Sequence, residues 1–454
     1  MGLCSGHSPA RCKGPTMSKP KILIVSTYRI KCGVASFTEV IRGQIGPDFD
    51  VDVYPLNQHL LRDGSKRANK AGDAFIRDLV LVAKNYDVVN LQWEPGFLGM
   101  TKRQILRRFK ALLGGLDRVV ITAHTVLPLS FQPRSVQAMA ELKNNGWRAG
   151  LAHMVKGGNN YALATYRIIR EAQATKQVEL ITHTRRDRRF FEKVASLANV
   201  QDHPLSHVNP AWAGNVSPTA RETRQRLMNR FGSDSVLIGV FGFISAYKGI
   251  ETAIAAARLL PANYHLLIYG GVHHVAIKER QHIDPYVAKL MGLVEGDDQR
   301  NQSLMKLSAR VERLGDDPIS RSIIQEIYQT QRPIGDRVHF MESPEDFEFA
   351  VAMSAMDICL FPYLEVGQSG SGPAAQAVEL GKRVITTNNR AFGELAKYFP
   401  NRLNFFDVGN HVQLSQLIER VVTEPEPMGD LSYNHVSQRD FYKNVFNKLA
   451  SAKH

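Results

Sequence analysis

Apolar residues in this chain fall into short, almost unbroken runs that alternate with longer stretches of helical periodicity. The run at 21–27 (KILIVST) has the length of a strand and lacks a polar face, so it predicts a strand covered on both sides. The same reasoning predicts further strands at 51–54, 87–91, 119–123, 178–182, 236–241, 266–269, 337–341, 358–361 and 384–386. Strands that alternate with helices in this way predict an α/β fold built on doubly wound parallel sheets.

The length of the chain and the distribution of proline indicate two domains. At 454 residues the chain is too long for one average hydrophobic core. Residues 204–235 hold three prolines and few periodic apolar positions, which predicts a hinge at 206–235. We therefore expect domains at 20–205 and 236–425, a disordered tail at 1–19, and a last segment at 426–454 that ends in a helix.

Composition and charge narrow the class of protein. An apolar fraction of 44% and a charged fraction of 22% are those of a soluble globular protein, and no apolar run is long enough to span a membrane. The four cysteines form no C-x-x-C pair, so we expect a reduced, cytoplasmic setting without a zinc site. A net charge of +14 predicts anionic partners: phosphorylated substrates, an anionic membrane surface or nucleic acid. No RNA-binding signature supports the last, and we expect no nucleic-acid partner.

The segment at 357–394 carries the clearest candidate chemistry. It begins with an apolar run at 358–361 that predicts a buried strand. The small residues Ser369, Gly370, Ser371 and Gly372 follow in a loop, and a helix is predicted to start near residue 373. Open backbone amides and the helix dipole make such a loop an anion site. The alternative is an ordinary turn between a strand and a helix. Gly33, at the first strand–helix turn, allows the same two interpretations.

Polar and basic residues elsewhere are weaker candidates. Glu94 and His124 follow predicted strands, at the edge where open α/β sheets bind ligands, although a lone histidine is more often hydrogen-bonded structure. Arg185 and Arg186 belong to a basic cluster that either recognises phosphate on an acceptor or forms a solvated turn. The basic amphipathic helix predicted at 102–113 is either a membrane-binding surface or a solvated face above a core stripe.

In their order along the chain, these segments resemble glycosyltransferase family four, whose members have the two-domain GT-B fold. The string PYLEVGQSGSGPAAQAVELGKRVI at 362–385 is similar to the nucleotide-sugar-binding segment of that family. Four shorter strings resemble further family segments: G-x-A-S-F at Gly33, QWEPGFLG at Glu94, HTVLP at His124 and YKG at Lys248.

The resemblance implies two Rossmann-like domains that face each other across a cleft, with the last helix packed back toward the first domain. It implies retaining, metal-independent transfer of a hexose from a nucleotide-diphosphate sugar, without a cofactor. The residues implied as catalytic are His124, Lys248 and Gln368. Those implied in donor binding are Gly33, Ser245, Lys248, Ser369, Gly370, Ser371, Gly372 and Gln376. The residues assigned to a glycan or lipid-linked glycan acceptor are Glu94, Arg185 and Arg186.

The chain also departs from the family pattern. Gln368 and Gln376 stand where the family usually has two Glu residues, and Phe243 stands where it often has a second cation. An amide still hydrogen-bonds hydroxyl groups but lacks the charge that strengthens such bonds. Two interpretations stay open. One is an enzyme of cell-surface polysaccharide synthesis at the cytoplasmic face of a membrane; the other is a non-catalytic GT-B-like scaffold that binds a glycan or a partner protein.

Overall fold

The computed structural model describes residues 18–129, 161–272, 284–295, 333–365, 370–425 and 436–451. These residues form two parallel sheets of six strands each. The first sheet, in the order β2-β1-β3-β4-β5-β6, contains β1 (Lys21–Ser26), β2 (Asp50–Pro55), β3 (Val88–Trp93), β4 (Arg118–Ala123), β5 (Gln177–Thr182) and β6 (Val200–Asp202). The second, in the order β12-β11-β10-β7-β8-β9, contains β7 (Val236–Phe241), β8 (Tyr264–Tyr269), β9 (Val338–Met341), β10 (Ile358–Phe361), β11 (Arg383–Thr387) and β12 (Leu403–Phe406).

Helices connect and cover these strands. Those of the first half are α1 (Gly33–Ile45), α2 (Gln58–Leu61), α3 (Lys66–Ala83), α4 (Lys102–Gly114), α5 (Tyr161–Gln173), α6 (Arg185–Lys193) and α7 (Ala213–Phe231). Those of the second half are α8 (Ile250–Leu259), α9 (Pro285–Glu295), α10 (Asp346–Ala355), α11 (Gly372–Glu379), α12 (Arg390–Tyr398), α13 (His411–Thr423) and α14 (Gln438–Ser451). Short 3-10 turns lie at Pro95–Leu98 and Ala246–Lys248.

The expectation of two doubly wound α/β domains is confirmed. Every residue of β3 and of β10 is buried, as expected for parallel strands covered by helices on both faces. Each of the ten predicted strands overlaps one of the twelve observed. The pattern missed β6 and β12, which are three and four residues long and lie at the outer edges of their sheets. Neither is an unbroken apolar run, because β6 (VQD) has a single apolar residue and β12 (LNFF) is interrupted by Asn404.

The segment predicted as a hinge is mostly helix. Residues 213–231 form α7, and its buried residues Val216, Ala220 and Leu227 pack into the core of the second domain. Their spacing of four and seven residues is helical, and it outweighs Pro218, which lies inside α7. The irregular link between the two domains is therefore shorter than its proline content indicated.

The last helix, α14, returns to the first sheet. Its apolar face packs against β1 and α1 through the buried residues Tyr442, Val445, Phe446 and Leu449. The Tyr442 hydroxyl lies 3.2 Å from Thr122 Oγ1 on β4, and Arg439 and Lys443 pair with Asp48 at 2.9 and 2.7 Å. The chain thus crosses between the domains twice, once after β6 and once before α14.

The basic helix α4 is less exposed than its sequence indicated. Arg108 is only 1% exposed, because its guanidinium binds Asp73 (2.9 Å) and the carbonyls of Leu61 (3.0 Å) and Leu98 (2.8 Å). It therefore belongs to the core and not to a basic surface. Lys110 remains exposed. None of the helices in the described ranges is long and apolar enough to cross a membrane.

Candidate functional site

A cleft of about 860 Å³ separates the carboxyl edges of the two sheets. The first domain and the link after it line the cleft with residues that include Gly33, Phe37, Glu94, His124, His183 and His207. The second domain contributes, among others, Phe243, Lys248, Gly270, Gly370, Ser371, Gly372 and Gln376. Most of the predicted site residues are therefore brought together, although they come from loops far apart in the sequence.

Polar contacts bridge the two domains at the rim of the cleft. Lys31 Nζ lies 3.1 Å from a Glu345 carboxylate oxygen and donates to the Ser343 carbonyl, also at 3.1 Å. Ser36 Oγ donates to Asp346 at 2.8 Å. All of these residues line the cleft. The start of α1 is therefore held against the segment that leads into α10.

Lys248 lies at the end of the 3-10 turn that follows β7. Its side chain is 5% exposed, and its Nζ donates to the Tyr363 hydroxyl. Burial lowers the pKa of Lys248 to about 7, and no described carboxylate pairs with the amine. Gly249 follows with φ of +62°, and a Cβ at that position would lie 2.1 Å from the Pro362 carbonyl oxygen. The backbone that places Lys248 therefore requires glycine at position 249.

The amino terminus of α11 lies next to Lys248. Ser371 caps the helix, because its Oγ accepts from the Ala374 amide at 3.3 Å. The same Oγ lies 3.1 Å from the Tyr363 hydroxyl, so Tyr363 connects the Lys248 amine to the helix cap. A Cβ at Gly372 would lie 2.7 Å from His207 Nε2, so a larger residue there would displace the His207 ring. An ammonium group and a helix dipole therefore face the same part of the cleft, as an anion site requires.

The remaining donor-site predictions have different outcomes. Gln376 lies one turn into α11, is 6% exposed and lines the cleft. Ser245 begins the 3-10 turn and is half-buried, but it does not belong to the described residues that line the cleft. Gln368 and Ser369 lie outside the described residues.

His124 follows β4 and is oriented by a chain of buried amides. Asn90 Nδ2 donates to the Val120 carbonyl at 3.1 Å, and Gln92 Nε2 donates to Asn90 Oδ1. Gln92 Oε1 then accepts from His124 Nε2 at 2.8 Å. Because an amide oxygen only accepts, His124 carries its proton on Nε2 and leaves Nδ1 as an acceptor. Burial and the neighbouring imidazoles keep the pKa of His124 well below its ordinary value.

Two further histidines lie beside His124. The ring of Phe37 makes aromatic contacts with His124, His183 and His207, with ring centroids 5.2, 5.3 and 5.8 Å apart. Burial lowers the pKa of His183 to about 3 and that of His207 to about 4. Sequence reasoning missed both residues. His183 follows β5 directly, just as His124 follows β4, so the rule that selected His124 also selects His183.

Glu94 lines the cleft at the end of β3. Its carboxylate accepts a hydrogen bond from the Thr125 hydroxyl, and burial raises its pKa despite that bond. Gly33 is the first residue of α1, so its amide is one of those at the helix start that lack an intrahelical partner. Both residues are placed where an acceptor and a diphosphate could be bound.

Arg185 and Arg186 do not line the cleft. They begin α6, which faces α12 of the second domain: the Arg185 guanidinium lies 5.2 Å from the Tyr398 ring centroid, and the Arg186 amide donates to Glu394 at 3.0 Å. The Tyr398 hydroxyl also donates to Asp202 at 2.7 Å. Arg185 and Arg186 therefore lie at the domain interface, outside the residues that line the cleft, and their assignment to an acceptor stays a prediction.

Glu379 is a second residue that sequence reasoning did not select. From the last turn of α11 it accepts hydrogen bonds from the backbone amides of His207 (2.7 Å) and Val208 (3.2 Å) in the link between the domains. Burial raises the pKa of Glu379 to about 7. The helix that carries the candidate anion site is thus tied to the link.

The imidazoles in the cleft do not form a metal site. Throughout the part of the chain that the structure describes, no group of three or more His, Cys, Asp or Glu side chains is arranged to hold a metal ion. The positive charge near the candidate anion site comes from Lys248 and from helix termini.

The sequence matches no known family profile and no curated protein. Solved structures do resemble this chain. HepE of Anabaena in complex with UDP is 13% identical, with a TM-score of 0.53 over 95% of this chain and 98% of that one. A UDP-forming α,α-trehalose-phosphate synthase from Burkholderia xenovorans is 11% identical, with a TM-score of 0.55 over 96% of this chain and 100% of that one. Sucrose-phosphate synthase of Thermosynechococcus elongatus is 13% identical, with a TM-score of 0.52 over 95% of this chain and 94% of that one. At these identities the likeness establishes the fold, and this chain has the GT-B fold.

Proposed function

We propose that this chain is a retaining glycosyltransferase that moves a hexose from a nucleotide-diphosphate sugar to a glycan or lipid-linked glycan. One observation carries the proposal: the Lys248 amine and the capped start of α11 are joined through Tyr363 on one wall of the cleft. Breaking the bond between a sugar and its diphosphate leaves a new negative charge on the departing phosphate. Donors fixed in advance around that charge lower the barrier to reaction.

The structural neighbours support the choice of donor. HepE has been solved in complex with UDP and in complex with UDP-glucose, and the trehalose-phosphate synthase is named as UDP-forming. In the proposed reaction the bond from the sugar's C1 to the phosphate oxygen breaks, and the electron pair leaves with the diphosphate. The acceptor oxygen bonds to C1 from the same face. Its proton passes to the departing phosphate oxygen, so no metal or cofactor enters the balance.

Three further residues would bind the donor, one each at its sugar, its ribose and its diphosphate. His124, kept neutral and fixed by Gln92, would hydrogen-bond the transferred sugar. Gln376, on the cleft side of α11, would bind the ribose hydroxyls as an uncharged donor and acceptor. The amide of Gly33, at the start of α1, would face the diphosphate from the first domain.

The acceptor would enter along the first-domain wall near Glu94. A role in cell-surface polysaccharide synthesis would bring the protein to an anionic membrane surface, and the exposed bases Lys102, Arg103 and Lys110 of α4 support such a contact. Arg108 does not contribute to this surface, because it is buried.

A thermal-shift panel of UDP-, GDP-, dTDP- and ADP-sugars tests the proposal, because a ligand that binds only the folded state raises the melting temperature. We expect one nucleotide class to stabilise the protein, and that donor then to be consumed with a glycan acceptor. A non-catalytic scaffold predicts that no sugar nucleotide stabilises the chain. Binding without transfer to any glycan would leave a nucleotide-sugar-binding protein and refute the enzyme.

A further inference from the structure

His183 has an unusual environment for a buried polar residue. It follows β5 in the wall of the cleft and is 5% exposed. Its Nδ1 lies 3.3 Å from the His203 carbonyl oxygen. Because a carbonyl only accepts, Nδ1 carries the proton and Nε2 is left with a lone pair. Nε2 is buried and has no hydrogen-bond partner in the described structure.

An acceptor in this position needs a partner. A buried polar atom without a hydrogen bond is costly, so such atoms usually mark a bound water or a ligand. A second proton on the ring is unfavourable, because burial lowers the pKa of His183 to about 3. The imidazole is therefore neutral, and it offers a hydrogen-bond acceptor to a group that can donate.

His124 presents a matching acceptor. The Gln92 amide fixes the proton of His124 on Nε2, so its Nδ1 is also a lone pair. The two rings are 5.0 Å apart between centroids and are inclined by 35°. Two neutral acceptors therefore lie side by side on the first-domain wall, which faces the Lys248 side of the cleft.

The chemistry of these acceptors selects the ligand. A hydroxyl group can donate a hydrogen bond to a nitrogen lone pair. A phosphate dianion has no hydrogen to donate, and the lone pair repels its negative charge. Neutral imidazoles also provide no charge to offset an anion. The proposed reaction joins the acceptor oxygen to the same face of C1 that the diphosphate leaves. The acceptor enters beside the donor, along the first-domain wall, where His183 lies.

We propose that His183 binds the acceptor, with Nε2 accepting a hydrogen bond from a hydroxyl of a pyranose ring. The inference rests on the proposed function, because that function decides which wall receives the acceptor. It adds the class of acceptor group at this point of the cleft: a sugar hydroxyl and not a phosphate group. Nothing in the sequence resemblance pointed to His183.

Nitrogen NMR of the full chain, with ¹⁵N label in the histidine rings, tests this assignment directly. The His183 signals are identified by their loss in H183N. In the presence of UDP we expect neutral His183 with its proton on Nδ1. Addition of methyl α-pyranosides of glucose, mannose and galactose should move the Nε2 signal upfield, as hydrogen bonding does, while inorganic phosphate should not.

Two variants separate this bond from a structural role. Asn at 183 can still donate to the His203 carbonyl but has no group at the Nε2 position, and Gln at 183 places an amide oxygen near it. H183N should weaken pyranoside binding roughly tenfold, as one hydrogen bond implies, and H183Q should recover most of that loss. Exposed His59, on α2 outside the cleft, provides the control H59N, which should bind like the wild type.

The outcomes distinguish the two proposals. If UDP binds and no pyranoside moves the His183 signal, the acceptor subsite is refuted while the donor site stands. If a pyranoside moves the signal but no nucleotide binds, the sugar subsite stands and the proposed transferase is refuted. A shift caused by inorganic phosphate alone, or equal pyranoside binding by the wild type and H183N, overturns the assignment of a sugar hydroxyl.

Discussion

Binding of a nucleotide-diphosphate sugar should take up a proton, because Lys248 is a buried amine without a paired carboxylate among the described residues. Burial lowers its pKa to about 7, and its nearest polar partner is the neutral Tyr363 hydroxyl. A bound diphosphate places negative charge beside the amine and favours the ammonium form. The pKa of Lys248 in the complex should therefore return toward the ordinary value of a lysine.

The size of the effect follows from that pKa. With a pKa of about 7, roughly one-tenth of the free protein carries the proton at pH 8 and roughly nine-tenths carries it at pH 6. Donor binding should then take up about 0.9 proton at pH 8 and about 0.1 proton at pH 6. Calorimetry in two buffers of different ionisation enthalpy measures this number. UDP-glucose suits the assay, because its phosphates are diesters that do not titrate in this range.

Replacement of the amine provides the matched test. K248M should abolish the proton uptake and weaken donor binding by about 1.5–3 kcal/mol, while K110M, on the exposed face of α4, should change neither. Between pH 7 and the ordinary pKa of lysine, the unfolded chain binds more protons than the folded chain. The amine therefore lowers the free energy of unfolding at and below pH 7, and K248M should raise it there. Equal uptake at both pH values, or uptake that persists in K248M, would refute the reasoning.

Four further predictions concern other parts of the fold. Gln376→Ala should reduce donor affinity by about 1–3 kcal/mol in calorimetry, whereas Gln376→Glu should bind as well as the wild type, since ribose hydroxyls donate to a carboxylate. The raised pKa of Glu379 means that, above the ordinary pKa of a glutamate, the folded chain binds more protons than the unfolded chain. The contribution of Glu379 to the free energy of unfolding should therefore fall as pH rises to about 7. In urea unfolding at pH 5 and pH 8, the free energy of unfolding of Glu379→Gln should change less with pH than that of the wild type. Arg108→Ala should lower the free energy of unfolding by about 3–5 kcal/mol, because it leaves the buried carbonyls of Leu61 and Leu98 without their hydrogen-bond donor. The wild type should co-sediment with vesicles of anionic lipid at low salt but not at high salt, and the double variant Lys102→Glu, Lys110→Glu should lose most of that binding. Co-sedimentation that does not change with salt or with these substitutions would contradict the proposed membrane surface.

The fold was predictable because its signal is local. Strands such as β3 and β10 are buried along their whole length. Because parallel strands covered on both faces need apolar residues at nearly every position, such strands are recognisable as apolar runs in the sequence. Segments whose fate depends on distant partners were not predictable. Arg108 looks like a surface base until Asp73 and two carbonyls from other elements surround it.

The site was predictable in part, for the same reason. Ser371 lies in a Ser/Gly loop before a helix, a local pattern that indicates an anion site, whereas Lys248 was selected by its resemblance to the family's YKG segment. The position of His183 after a strand could have identified it as a candidate. That its buried Nε2 has no hydrogen-bond partner among the described residues is visible only in the folded structure. Arg185 and Arg186 show the limit of local charge as a signal: the sequence could not indicate that α12 lies against them, and their assignment to an acceptor stays a prediction.

The most direct measurement is an experimental structure of this chain with the donor that the thermal-shift panel selects. The account predicts that the diphosphate lies between the Lys248 amine and the start of α11, with its sugar directed toward His124. Hydrogen bonds from Lys248 Nζ and from amides near Gly372 to phosphate oxygens would confirm the central claim. A diphosphate bound elsewhere in the cleft, or a nucleotide whose phosphates contact neither Lys248 nor α11, would contradict it.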